Sequence, residues 1–239
     1  MSRGIIIGRR YYPTLAMSLE KLGYKTLCLP ENPFVDKRLA SHADLSLFAV
    51  GPGSVVAAPY LRDTAFAAQL ASHGVKTVFS DIDQGHEYPF DAALNAILIG
   101  RLLIFSNGIT ADEVVAAAYD AMEKDLRLIS VRQGYIRCSL CAIGENAAIT
   151  ADRGIARALE NEGFDVMLIS PQGVRLDGFE YGFIGGASVM LEDDLLAFTG
   201  HLADHPDAER IERFIASHGV RTVYLTDEPI FDIGGAVLI

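Results

Sequence analysis

The chain is poor in cysteine, with 3 in 239 residues. Cys138 and Cys141 form one Cys-X-X-Cys pair, but no second pair accompanies it, so the ligand set of a zinc knuckle is incomplete. Positions i and i+3 of a strand also face opposite sides, which separates the two sulfur atoms. We therefore predict no metal site and no cofactor, and we expect a reduced, cytoplasmic chain.

Positive charge and long apolar runs are also scarce. The 20 basic residues are outnumbered by 31 acidic ones, which argues against nucleic acid or an anionic membrane as a partner. No apolar run approaches the ~18 residues of a membrane span, and the start MSRGIIIG lacks the layout of a signal peptide. An acidic chain suits a small cationic molecule as its ligand, although acidity is also a common means of staying soluble.

What the sequence does contain is a repeated unit, seen best in residues 134–170. Residues 136–143 and 147–150 are β-rich runs separated by a Gly-Glu-Asn turn, which is typical of a hairpin. Asp152 can cap a following helix and Gly163 can end it. The apolar run DVMLI then predicts a strand that is buried on both faces.

Five copies of this unit can be recognised. Its helix-strand half recurs as LEKLGYKTLCLP, LASHGVKTVFS, MEKDLRLIS, LENEGFDVMLIS and IASHGVRTVYLT, and its hairpin recurs as DLSLFAVGPGSVVAA, DAALNAILIGRLLIFS and FIGGASVMLEDDLLAFTG. The last hairpin is divided between the two ends of the chain, as strands 232–239 and 3–8. Pairing of these two strands would close a ring and leave no bare apolar edge. We therefore predict one domain, residues 1–239, built as a closed ring of five units; the alternative is an open α/β sheet.

A ring of five ββαβ units resembles the pentein fold of the enzymes that modify guanidino groups. That superfamily includes arginine and agmatine deiminases, dimethylarginine dimethylaminohydrolase and the amidinotransferases. The stretches CSLCAIGENAAITADRGIA, YGFIGGAS, FTGHLADHPD and DEPIFDIGG are similar to a bacterial family of unassigned function with that fold. The resemblance implies a five-bladed α/β propeller around a pseudo-fivefold axis, closed by its terminal strands. It also implies a central funnel where carboxylates bind a guanidinium group and a cysteine attacks it, aided by a histidine.

Several polar residues lie on the predicted first strands, which would face this funnel. The candidate substrate-binding residues are Asp44, Asp91, Asn95, Tyr181 and Asp232. Paired carboxylates can bind a planar guanidinium through parallel hydrogen bonds. If the three carboxyl groups ring the axis, their mutual repulsion should raise the pKa of at least one. The glycine pairs at 185–186 and 234–235 are interpreted as sites of close backbone approach rather than as ligand contacts.

Cys138 is the candidate nucleophile, with a buried or merely lining thiol as the alternative. It lies beside Arg137, and a neighbouring cation can lower the pKa of a thiol. Cys28 and Cys141 are interpreted as inert core thiols. His201 and His205 lie between a second strand and its helix, so one of them is the candidate acid/base that protonates the leaving amine.

The sequence departs from the characterised enzymes at their catalytic positions. Those enzymes carry the nucleophile near the C-terminus, shortly after a glycine pair, whereas this chain ends GGAVLI without a cysteine. The typical Glu-Gly-Gly-Asp strand is replaced by Ile-Gly-Gly-Ala at 184–187. Two functions therefore stay open. One is a hydrolase or transferase that acts on a guanidino or amidino compound through Cys138, and the other is a non-catalytic pentein that binds a small cationic metabolite or serves as an assembly module. The oligomeric state stays open as well, with a homo-oligomer as one option.

Overall fold

The computed structural model describes residues 4–122 and 125–239. Arg3, at which the sequence predicts the first strand to begin, and residues 123–124 of the MEKDLRLIS stretch lie outside the described residues. The strands are β1 Gly4–Gly8, β2 Lys25–Leu29, β3 Leu47–Gly51, β4 Ser54–Ala57, β5 Lys76–Phe79, β6 Ile97–Ile99, β7 Leu102–Phe105, β8 Arg127–Ser130, β9 Leu140–Ile143, β10 Ala147–Thr150, β11 Asp165–Leu168, β12 Ser188–Glu192, β13 Leu195–Phe198, β14 Arg221–Tyr224 and β15 Val237–Leu238. The helices are α1 Tyr12–Lys21, α2 Ala65–Ser72, α3 Asp112–Met122, α4 Ile136–Ser139, α5 Arg153–Glu160 and α6 Ala208–Ser217.

The strands form five three-stranded sheets, in the orders β15-β1-β2, β3-β4-β5, β6-β7-β8, β9-β10-β11 and β12-β13-β14. In every sheet the first two strands are antiparallel and the third is parallel to the second. A helix connects the second strand to the third, because a parallel neighbour requires a crossover connection. The predicted repeat of strand, turn, strand, helix and strand is confirmed.

Local chemistry sets the bounds of these elements, as α5 illustrates. The Asp152 carboxylate accepts hydrogen bonds from the backbone N–H groups of Gly154 and Ile155, as predicted for an N-cap. The helix buries Ile155 and Leu159, and Gly163 beyond its end has a φ of +87°, which favours glycine. None of the helices in the described part of the chain is long and apolar enough to cross a membrane.

Five apolar clusters hold the sheets in a ring, one between each pair of neighbouring sheets. Ile6 of β1 packs in one cluster with Leu47 of β3, and Phe48 of β3 packs in the next with Leu103 of β7. The other three clusters join β6-β7-β8 to β9-β10-β11, then β9-β10-β11 to β12-β13-β14, and finally β12-β13-β14 to β15-β1-β2. Each unit therefore buries its two faces against its neighbours, so that the core is continuous around the ring.

The two ends of the chain complete the fifth sheet. Ile5 and Ile6 of β1 pair with Leu238 and Val237 of β15 in antiparallel register. The backbone of Ile239 extends this pairing, with N–H to O distances to Gly4 of 2.9 and 3.1 Å. The closed ring is confirmed, and the alternative of an open sheet is wrong.

The first strand of most units begins later than the sequence predicts. Residues 136–139 form the short helix α4 instead of the start of a strand, so Cys138 and Cys141 do not share one strand. The side-chain oxygen of Asn95 accepts the backbone N–H of Arg137 at 2.7 Å and of Cys138 at 3.3 Å, and these bonds take the place of a sheet ladder. Likewise β12 begins at Ser188 and β15 at Val237, after their glycine pairs. The polar residues near the axis therefore lie in turns and short helical segments that precede the strands.

Deletion of residues 236–239 is expected to lower the thermal stability of the whole protein. The deletion removes β15 and exposes the apolar strand β1, whose Ile5, Ile6 and Ile7 are fully buried. A single melting transition should shift downwards by several degrees when unfolding is followed by circular dichroism, because the core is continuous. Leu128→Ala on the exposed side of β8 is the control and should change the midpoint little. An unchanged midpoint in the truncated protein would contradict closure as a source of stability.

Candidate active site

A cavity of about 300 Å³ opens among the segments that precede β3, β9, β12 and β15. We call it the thiol cavity, because Cys138 lies in its wall. Leucine and aromatic side chains form most of this wall, and a thiol, an imidazole and two carboxyl groups interrupt it. The lining residues are Leu39, His42, Leu45, Tyr135, Cys138, Leu176, Phe179, Glu180, Tyr181, Phe183 and Asp232.

The Cys138 thiol is buried and held by two polar side chains. Its Sγ donates a hydrogen bond to Oδ2 of Asp44 at 2.6 Å, and Nδ2 of Asn95 donates to the same sulfur at 3.4 Å. Burial raises the pKa of the Cys138 thiol well above its usual range, and the negative charges of Asp44 and Asp232 raise it further. In the free protein the sulfur is therefore a neutral thiol that points towards a carboxyl group.

The histidine that approaches this thiol is His42. One ligand-type atom from each of His42, Cys138 and Asp232 lies within 4.8 Å of the other two, and all three residues are buried. Nδ1 of His42 is 4.0 Å from Oδ1 of Asp232, while Nε2 lies 3.5 Å from the hydroxyl of Tyr11. Burial lowers the pKa of His42, although the Asp232 charge acts in the opposite direction. The imidazole is therefore neutral and able to accept a proton.

Asp44 is the carboxyl group closest to the sulfur in the hydrogen-bond network. Its pKa is raised to about 7, chiefly by burial, while the hydrogen bond from Cys138 acts against this rise and the charge of Asp232 adds to it. A raised pKa near the axis matches the expectation from the sequence, but burial contributes more than repulsion between carboxylates. Oδ1 of Asp44 is buried and has no hydrogen-bond partner in the described structure. Asp44 is not among the residues that line the thiol cavity; it lines a second cavity, on which Arg137 and Gly234 also border.

Asp232 is fixed by backbone groups. Oδ2 accepts the N–H of Phe183 at 2.9 Å, and Oδ1 accepts the N–H of Gly234 at 2.8 Å. A Cβ atom at Gly186 would overlap the Asp232 carboxylate, and one at Gly234, whose φ is +70°, would overlap His42. The glycine pairs therefore allow the close approach that lets Asp232 and His42 meet.

Two more predicted substrate-binding residues, Asp91 and Asn95, lie behind the cavity wall rather than in it. Asp91 accepts a hydrogen bond of 2.6 Å from the hydroxyl of Tyr135, which does line the cavity. Burial raises the pKa of Asp91. Asn95 orients the turn that carries Cys138, as described above. Tyr181, by contrast, lines the thiol cavity itself.

The structure does not bring His201 or His205 to the thiol cavity. Nε2 of His201 lies 3.8 Å from Oδ1 of Asp227, and 44 % of its side chain is exposed. Nδ1 of His205 accepts the backbone N–H of Asp207 at 3.0 Å, at the start of the segment leading into α6. His42 is not among the site residues predicted from the sequence. Its one signal there is a position two residues before Asp44, at the entry to a first strand.

Comparisons with solved structures show the pentein fold. Dimethylarginine dimethylaminohydrolase from Pseudomonas aeruginosa, a cysteine-to-serine mutant complexed with citrulline, matches with a TM-score of 0.58 and 11 % identity over 100 % of both chains. Inosamine-phosphate amidinotransferase from Streptomyces griseus matches with a TM-score of 0.58 and 12 % identity, over 99 % of this chain and 93 % of that one. The N-terminal domain of a cyanobacterial arginine dihydrolase, bound to product, matches with a TM-score of 0.55 and 12 % identity, over 99 % of this chain and 95 % of that one.

Comparison at the level of sequence finds fewer relatives than comparison of structures. No curated protein sequence matches this chain. One family model does match, and it extends over residues 6–237. That range includes most of each of the five units and the segments that carry His42, Cys138 and Asp232. The chain belongs to this family, DUF6873, which is described as a family of unknown function.

Proposed function

We propose that this protein is a pentein-type hydrolase or transferase that acts on a small guanidino or amidino compound through Cys138. One observation carries the proposal. The Cys138 thiol lies in the wall of a cavity together with a buried imidazole and the Asp232 carboxyl group, within 4.8 Å of each other. A nucleophile, a proton carrier and an anionic group for a cation are thereby combined in one place.

The thiol cavity suits a planar cation. The Asp232 and Glu180 side chains supply negative charge, and the aromatic rings of Tyr135, Tyr181 and Phe183 supply faces for cation–π contacts. No lysine or arginine is among the described residues that line the cavity, so a carboxylate on the substrate would find no cationic partner in its wall. Arg38 lies nearby, 4.3 Å above the Phe179 ring, but Asp36 already pairs with its guanidinium at 2.5 Å. We therefore expect guanidines without an α-carboxylate to bind better than arginine.

In the proposed reaction the thiol proton passes to His42, either directly or through Asp44, and the Cys138 thiolate attacks the guanidinium carbon. The C–N bond to the leaving amine then breaks as His42 returns a proton to that nitrogen, which leaves an amidino group bonded to sulfur. Neutral His42 next removes a proton from water or from an acceptor amine, which attacks the same carbon. Breakage of the C–S bond restores the thiol with the proton that His42 holds. A bound cation favours the first step, because positive charge stabilises a thiolate.

A non-catalytic binding protein is the second candidate, and a specific observation favours it. Without a ligand, the Cys138 proton is donated to Asp44 and burial raises the pKa of the thiol. Such a thiol can line a cation site without reacting. Both candidate proteins would bind a small guanidino or amidino cation, but only the enzyme would convert it to product.

The shared part of the proposal is tested by thermal stabilisation. Agmatine, arginine, methylarginines and creatine are added to the metal-free protein, and the melting temperature is recorded. A ligand at about 100 times its Kd should stabilise the protein by about 2.7 kcal/mol. Asp232→Asn should abolish this shift, whereas Asp165→Asn should retain it, because Asp165 is exposed; β11, predicted to be buried on both faces, in fact exposes Asp165 and Leu168 and buries Met167. If no guanidine or amidine raises the melting temperature of the unaltered protein, both candidates lose their ligand class.

A further inference from the structure

We propose that His42, Cys138 and Asp232 form a binding site for one divalent transition-metal ion, with zinc as the best chemical fit. In the described part of the chain, this is the one group in which three or more histidine, cysteine or carboxylate side chains converge closely enough to share an ion. The three residues come from segments that precede three different strands, β3, β9 and β15, and Cys138 lies in the short helix α4. All three are buried, so their convergence is a property of the packed ring and not of a solvated acidic surface.

The distances allow coordination after small adjustments. Bonds of about 2.0–2.3 Å in a tetrahedral zinc site place the ligand atoms about 3.3–3.8 Å apart. Nδ1 of His42 and Oδ1 of Asp232 are 4.0 Å apart, and the sulfur of Cys138 completes a group with no separation above 4.8 Å. Side-chain movements of less than about 1 Å would therefore bring all three atoms to bonding distance.

Outer hydrogen bonds orient two of the three ligands. The Tyr11 hydroxyl lies 3.5 Å from Nε2 of His42, which leaves Nδ1 facing Asp232. The backbone N–H groups of Phe183 and Gly234 hold the Asp232 carboxylate in place. Ligand histidines in metal sites are commonly oriented in this way through their second nitrogen.

The donor set and its charge select the kind of ion. One sulfur, one nitrogen and one oxygen donor suit zinc or cobalt, whereas magnesium and calcium prefer oxygen donors alone. Binding would replace the S–H bond of Cys138 by a sulfur–metal bond, and the released proton would go to Asp44, 2.6 Å away, or to solvent. A divalent ion would then be balanced by one thiolate and one carboxylate. In the described structure the ion-pair partner of Asp232 is His42, so no lysine or arginine competes for that charge.

Three protein ligands leave a fourth position that opens into the thiol cavity. This is the pattern of zinc sites that hold a water or a substrate, whereas structural zinc sites are closed by four protein ligands. A metal ion at this position would occupy the sulfur that the proposed amidino chemistry needs. Metal binding does not depend on that chemistry, and each is measured without the other.

The experiment titrates chelator-treated protein with Co²⁺ and with Zn²⁺ in the absence of any guanidine. We expect one equivalent to bind, with a thiolate-to-cobalt charge-transfer absorption in the near ultraviolet. Cys138→Ser should remove this absorption and weaken binding by at least about 100-fold, and Tyr11→Phe should weaken it by about 10-fold. Cys141→Ser and His205→Asn replace buried residues of the same types outside the cluster and should bind as the unaltered protein does.

Absence of the charge-transfer absorption in the unaltered protein would overturn the proposal, and this result does not depend on whether a variant folds. Equal weakening by Cys141→Ser would overturn it as well. Guanidine stabilisation is measured on metal-free protein, so failure of the metal site leaves the test of the proposed function unaffected.

Discussion

Cys138→Ala is expected to abolish turnover of a guanidino substrate, with a loss of about 10⁴-fold or more in kcat. Without the nucleophile, the covalent intermediate on sulfur cannot form. Cys138→Ser should also be inactive, since an alcohol is not converted to its anion under conditions that produce a thiolate. Cys141→Ala is the matched control. Cys141 is also buried, but it lies on β9 in the apolar cluster between two sheets.

Mapping of alkylated cysteines provides a second measurement of the same prediction. Burial raises the pKa of Cys141 to about 11 and also raises that of Cys28, so neither should react with iodoacetamide in the folded protein. Cys138 should react slowly alone, and a bound guanidine should change its rate by stabilising the thiolate or by covering it. Mass spectrometry of all three cysteines, with and without ligand, gives the result. An unchanged kcat in Cys138→Ala would exclude the thiol as the nucleophile. If the unaltered protein turns over none of the guanidines tested, the non-catalytic binding protein is the function that remains.

His42→Asn is expected to lower kcat by about 10²–10⁴-fold, the usual contribution of one general acid/base. The imidazole of His42 is buried, and one of its nitrogens lies within 4.8 Å of the Cys138 sulfur. By contrast, His201 is partly exposed beside Asp227, and His205 accepts a hydrogen bond from the backbone N–H of Asp207. Steady-state kinetics should therefore show a lowered kcat for His42→Asn and a near-normal kcat for His201→Asn and His205→Asn.

Protein stability must be measured alongside these rates, because His205 is buried and its replacement can lower the melting temperature without touching the chemistry. Guanidine binding to His42→Asn should persist, since Asp232 and the aromatic wall remain. The acid/base role of His42 would be refuted by a normal kcat in His42→Asn. Comparable losses in His201→Asn or His205→Asn, with melting temperatures unchanged, would return the role to the histidines that the sequence predicts.

Repetition made the fold predictable. Each unit carries its own signals, such as the Asp152 cap and the left-handed Gly163, and five copies of the same pattern leave few ways to arrange the sheets. Closure could be predicted because the unpaired strands at the two ends of the chain complete one unit. The bounds of the inner strands were harder to predict, because Asn95 satisfies the backbone around Cys138 from another unit and so replaces a ladder that the local sequence favours.

By itself, the sequence determined the five-unit ring, the pairing of its ends and the candidacy of Cys138, Asp44 and Asp232, since position within a repeat predicts which residues approach the axis. Tertiary structure alone decided which of them meet. His42 reaches Cys138 and Asp232 because Gly186 and Gly234 let backbones from separate units approach within contact distance. Asp91 does not reach this group, and its carboxylate accepts a hydrogen bond from the Tyr135 hydroxyl. The glycine pairs indicated in the sequence that backbones approach closely there, and the φ of +70° at Gly234 agrees. Which side chains this approach brings together depends on the packing of units far apart in the chain, and no local pattern of residues encodes that.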